Sequence, residues 1–98
     1  MGRAEAKPAD YLKRLCDHHG VVYEKLRAED RNGCPDYLLT FPNGRMRRVE
    51  TKSDKGKCSA QQELYHRRLA RNRVTVALLW DEVTIDEFFR IHEEWLRV

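Results

Sequence analysis

Long apolar runs are missing from this chain of 98 residues, and so is a stretch resembling the apolar centre of a secretory leader. A bilayer-crossing helix needs about 20 consecutive, mostly apolar residues, so a helical membrane span is excluded. Cysteine is scarce, and Cys16, Cys34 and Cys58 form an odd set with no close pair. An intracellular, cytoplasmic and reducing compartment is the expected setting. No Cys-x-x-Cys or His-x-x-x-His spacing links these cysteines with His18, His19, His66 and His92, which argues against a zinc centre. Internal repeats, low-complexity tracts and linkers are also absent, so residues 1–98 are expected to form a single domain.

What is present fits a folded, charged domain. Hydrophobic residues make up 41% and charged residues 36%, a balance that supports a core rather than disorder. A core of this size is modest, and a second copy would add buried surface. The net charge of +3 is unevenly spread. Residues 44–75 carry basic side chains at 45, 47, 48, 52, 55, 57, 67, 68, 71 and 73, against acids at 50, 54 and 63. Residues 76–98 reverse the balance, with acids at 81, 82, 86, 87, 93 and 94 against Arg90 and Arg97. A basic block of this kind attracts phosphate backbones without sequence preference; the plainer reading is a solvated charged surface.

Local signals give the order α-β-β-β-α-β-α. Pro8 suits a first helical turn, Tyr11, Leu12, Leu15 and Cys16 form an apolar stripe, and Gly20 ends the segment, which predicts a helix over Pro8–His19. Residues 21–26 read as a strand and 28–34 as a loop. Residues 36–41 and 45–52 read as a hairpin around Pro42-Asn43-Gly44. After a loop at 53–57, Ser59 and Gln62 match a capping box that opens a helix ending near Arg71. The β-prone run 74–80 predicts a strand. Thr84 and Glu87 match a second capping box, opening a last helix with Ile85, Phe88, Phe89, Ile91, Trp95 and Leu96 as its apolar set. Trp80, Phe88, Phe89 and Trp95 are expected in the core or at a dimer interface. The strand–helix–strand unit from 50 to 80 is a crossover of the kind that makes parallel pairs. The expected class is α/β, a mixed sheet flanked by helices.

The chemistry concentrates at the hairpin. Glu50 and Lys52 are two apart on a strand and share a face, and Asp36 opens the partner strand. Two converging carboxylates repel unless a cation separates them, and hard divalent cations favour oxygen ligands. A lysine beside them stabilises developing negative charge. These are the parts of a metal-dependent phosphodiester hydrolase, with Mg²⁺ or Mn²⁺ lowering the pKa of a water and withdrawing charge from the phosphoryl group.

The same residues resemble a known family. Pro35-Asp36 followed by Glu50-Thr51-Lys52 is similar to the PD-(D/E)XK nuclease pattern, and further features resemble its VRR-NUC branch. Asn32-Gly33-Cys34-Pro35-Asp36 resembles that branch's Gly-x-Pro-Asp, and residues 56–62 (Gly-Lys-Cys-Ser-Ala-Gln-Gln) resemble its Gly-x-x-Ser-x-x-Gln. Cys34 departs from the family's usual apolar residue, and Asn72-Arg73 from its usual Gly. The resemblance covers most of the chain and implies a restriction-endonuclease-like α-β-β-β-α-β core. It implies Asp36 and Glu50 as metal-binding carboxylates and Thr51 as a backbone-carbonyl ligand. It makes Lys52 a catalytic cation and Gln62 a site-edge residue, with Glu5 or alternatively Asp10 assisting from the first helix. Stand-alone domains of this branch resemble Holliday-junction resolvases, which implies a homodimer acting on branched DNA. Lys25, Lys55, Lys57, Arg67 and Arg71 are the candidate DNA contacts.

Plainer readings exist for each feature. Asp36 follows a turn-forming proline, Glu50 and Lys52 also suit an exposed ion pair, and the capping box accounts for Gln62. His66, one turn after Gln62 on the same helix face, reads as a surface histidine, with a DNA contact as the alternative. The rival functions are a non-catalytic nucleic-acid-binding module and a nuclease subunit of a larger complex.

Overall fold

Helix α1 (Pro8–His19) begins and ends where its sequence marks it. Pro8 occupies the first turn, where a missing N–H costs nothing. Gly20 closes the helix in the left-handed region (φ 74°), its N–H donating to the Cys16 carbonyl. These features belong to a computed structural model that describes residues 7–26, 36–52 and 60–97, with the side chains of residues 36 and 60–62 excepted. The loops expected at 28–34 and 53–57, and the Ser59–Gln62 capping box, lie outside the described residues and side chains.

The chain continues as β1 (Val22–Lys25), β2 (Asp36–Thr40), β3 (Met46–Thr51), α2 (Ala60–Arg71), β4 (Val76–Leu79) and α3 (Glu82–Ile91), then a short 3₁₀ turn (Glu93–Leu96). The strands form one sheet in the order β1-β2-β3-β4. β1–β2 and β2–β3 are antiparallel, whereas the α2 crossover makes β3–β4 parallel. The architecture is thus α/β with a mixed sheet. The hairpin turn works as its residues suggest: Gly44 adopts φ 90°, its N–H donates to the Phe41 carbonyl at 2.8 Å, and the Asn43 side chain accepts from the Arg45 N–H at 3.0 Å.

Pleating divides the sheet into two unlike faces. Tyr37, Leu39, Val49 and Leu79 are buried in a cluster with Leu12 and Cys16 of α1 and Ile85, Phe88 and Phe89 of α3. The helices on this side also meet directly, where the Tyr11 hydroxyl donates to Asp86 at 2.6 Å and the His19 ring stacks on Phe89. That hydrogen bond, followed by desolvation, raises the Tyr11 pKa. The opposite face carries Arg48 and Glu50, and α2 reaches it.

The carboxy-terminal segment differs from the sequence expectation in three ways. α3 starts at Glu82 with Asp81 as N-cap, so Thr84 is the third helical residue rather than the cap. The Asp81 carboxylate accepts from the Thr84 N–H while the Thr84 hydroxyl meets the Asp81 N–H, and this reciprocal pair outcompetes a start at Thr84. The helix then stops at Ile91 instead of running through Trp95, and Ile91 is 63% exposed rather than part of the core. His92 takes over as the inward residue. Its Nδ1 faces the Phe88 carbonyl at 2.7 Å, and its Nε2 accepts from Arg47 Nε at 3.1 Å. One neutral tautomer, protonated at Nδ1, satisfies both bonds. Phe41 stacks on this imidazole and meets Trp95 edge-on. Third, Trp80 is 40% exposed and lies outside the core cluster, so of its two expected settings the core does not hold, whereas Phe88 and Phe89 are buried within the chain. Among the described residues, no helix is long and apolar enough to cross a membrane.

Cys16 has no exposed surface, and burial pushes its thiol up to about 12 from an ordinary 9.0. The folded chain therefore retains a proton that the unfolded chain loses, so this contribution to stability is present below about pH 9 and fades as pH rises toward 12. At pH 8, iodoacetamide should leave Cys16 unmodified in the native protein and label it in urea. Equal labelling in both states, by peptide mass spectrometry, would refute this burial.

Candidate active site

The far end of the hairpin from its turn gathers the charged residues. β2 pairs with β3 so that Asp36 stands opposite Glu50, and β4 places Leu78 on the other flank of Glu50. Glu50 is therefore on an interior strand, and none of its surface is exposed. A buried carboxylate is costly unless hydrogen-bonded or paired with a cation. Helix α2 provides one partner: His66 Nε2 lies 2.7 Å from Glu50 Oε1. The neighbouring helical residue grips the same strand face, with Arg48 Nη1 donating to the Tyr65 hydroxyl at 2.9 Å and its guanidinium lying over the Tyr65 ring.

Lys52 continues the line. Its N–H donates to the Leu79 carbonyl at 2.9 Å, extending the parallel ladder one step past Thr51. The pleat gives it the face of Glu50, and its ammonium sits 4.5 Å from the centroid of the Trp80 ring. A cation over an indole is worth about 0.5–2 kcal/mol, depending on desolvation. Thr51, between the two, is buried on the core side.

The remaining candidates that the structure describes lie on α2, α1 and β1. Gln62 lies on α2 one turn before His66, but its side chain, like that of Asp36, is outside the described set. Asp10 is exposed in the first turn of α1, which packs on the core face rather than on that of Glu50. Its nearby charge adds to burial in raising the pKa of Tyr37. Lys25 is exposed at the end of edge strand β1, and Arg67 and Arg71 are exposed on α2. Glu5, Lys55 and Lys57 lie outside the described residues. Among the described residues, no three His, Cys, Asp or Glu side chains form a group that could hold a metal ion.

Two side chains enter the site that the sequence reading places elsewhere. His66 is no plain surface residue: its side chain is 21% exposed and bonded to Glu50. Trp80 faces Lys52 instead of the core. The four-residue step from Gln62 was the available signal for His66, whereas the position of Trp80 depends on the register of the parallel pair.

The Trp80 geometry has a direct spectroscopic consequence. Ring current should shield the ε-methylene protons of Lys52, and Trp80→Leu should return them downfield to random-coil values. Unchanged Lys52 shifts in that variant would show that the two side chains do not meet. In comparisons with known proteins, no family model, curated protein or solved structure matches this chain.

Proposed function

We propose that this chain is a metal-dependent DNA endonuclease that hydrolyses phosphodiester bonds, with a restriction-endonuclease-like core and a VRR-NUC-type site. The observation that carries the reading is the register of the hairpin: Asp36 and Glu50 are cross-strand partners, with Lys52 two residues beyond Glu50. This is the placement that the Pro-Asp and Glu-x-Lys pattern calls for.

The donor chemistry fits a divalent cation. Asp36 and Glu50 would hold it, with the Thr51 carbonyl as a further oxygen, and Glu5 or Asp10 would assist from the amino-terminal side. Mg²⁺ or Mn²⁺ bound there supplies Lewis acidity, which acidifies a water and withdraws charge from the phosphoryl group. Lys52 acts on the substrate side. Its ammonium orients the attacking water and neutralises negative charge that develops on the phosphoryl oxygens. Trp80 restrains that ammonium without neutralising it, since an indole face carries no formal charge. Gln62 would border the site from α2. Exposed Arg67 and Arg71 are one turn apart on α2 and so share a helix face, where they can follow a phosphate backbone without reading bases. Shape-selective cleavage of branched DNA by a two-fold dimer, in the manner of a Holliday-junction resolvase, is the substrate class proposed. A dimer would supply two active sites at a fixed separation.

The test presents linear duplex, flap, splayed-arm and four-way-junction DNA to the purified chain with Mg²⁺ and with Mn²⁺. Cleavage should require the metal and favour the branched substrates. Asp36→Asn, Glu50→Gln and Lys52→Ala should each reduce the rate at least about 100-fold while circular dichroism is unchanged. Retarded bands without cut product under every condition would instead identify a binding module. Activity only in a larger assembly, with an inactive isolated chain of known solution mass, would identify a nuclease subunit.

A further inference from the structure

We propose that His66 is a positioning residue for Glu50, fixing from helix α2 the carboxylate that binds the divalent cation. The inference rests on the nuclease reading above and adds a residue to it. Glu50 has no exposed surface, and His66 is 2.7 Å away with only 21% of its side chain exposed. With Glu50 ionised, as cation binding requires, its carboxylate only accepts hydrogen bonds, and His66 Nε2 then donates to Oε1. The imidazole is thereby committed through this nitrogen to an outer role, with Glu50 between it and the cation. This reverses the common order in which a histidine binds the metal and a carboxylate backs it.

The helix holds His66 at a defined angle. Tyr65, the preceding residue, engages Arg48, and Arg48 is two residues before Glu50 on β3. Adjacent helical residues thus meet i and i+2 on one strand face, which fixes both the rotation of α2 and its height along β3. A Glu side chain has three rotatable bonds, and a cation site gains when its ligand arrives in one rotamer. Groups that orient a metal ligand in this way typically change affinity by about 10–100-fold when removed.

The test measures Mn²⁺ affinity of the full chain from the electron paramagnetic resonance signal of free Mn²⁺, with no DNA present. His66→Ala should weaken binding about 10–100-fold. His66→Gln, whose amide N–H reaches nearly the same point, should recover most of the loss, and Glu50→Gln should abolish binding. Should the alanine variant unfold, the comparison of His66→Gln with His66→Leu at matched stability serves instead. In the wild-type chain, long-range ¹H–¹⁵N spectra should show His66 protonated at Nε2, and Mg²⁺ should move that resonance while leaving His18 and His92 in place. Wild-type affinity in His66→Ala, or equal weakness in the glutamine and alanine variants, overturns the positioning role. If Glu50→Gln still loses Mn²⁺ in that case, the metal site stands without His66. A wild-type chain that binds no Mn²⁺ removes the metal site and the positioning role together.

Discussion

A carboxylate without solvent has to be matched by donors or cations, and in this fold the matching depends on Glu50 occupying an interior strand. β2 flanks it in antiparallel register and β4 in parallel register. Each neighbour contributes a different element to its surroundings: Asp36 stands opposite on β2, whereas β4 leads into Trp80 and with it the indole face beside Lys52. The α2 crossover that makes β4 parallel also brings His66 over the same face. A one-residue slip of β3 would send Glu50 and Lys52 to the hydrophobic side and Val49 and Thr51 to the polar one. The site and the core therefore depend on one register.

The two sides of the sheet do different work. On one, Leu12, Cys16, Leu39, Val49, Ile85 and Phe88 form an apolar layer with little or no exposure. On the other, helix α2 is held to β3 by Arg48–Tyr65 and Glu50–His66. Hydrophobic burial supplies most of the stability on the first side. Directed polar contacts set geometry on the second. This division allows a chain of 98 residues to carry several ionisable groups near one strand end without placing them in its core.

Much of this arrangement is legible in the residues because it follows from local chemistry. Pro8 and Gly20 delimit α1, Pro42-Asn43-Gly44 turns the hairpin, and the apolar run before Trp80 forms the last strand. The period of two along β3 also separates Glu50 and Lys52 from Val49. What was not legible depends on competition or on long-range placement. Asp81 and Thr84 both suit a helix start, and the reciprocal pair they form decides in favour of Asp81. The stop at Ile91 coincides with His92 turning inward to meet Arg47, a residue 45 positions away. Trp80 has the composition of a core residue, and only the register of β3 with β4 places it beside an ammonium group. His66 looks like an ordinary surface histidine until the crossover sets α2 above Glu50.

The hairpin is tethered at its turn as well as at its open end. The Asn43 N–H donates to the Trp95 carbonyl, and the guanidinium groups of Arg45 and Arg47 lie over the Trp95 ring. Residues 92–97 thus act as a buckle across the bend, bracing a two-stranded ribbon whose opposite tip bears Asp36 and Glu50. The bend is thus held by a segment remote in sequence, and the strand pair that carries Asp36 and Glu50 is anchored near both of its ends.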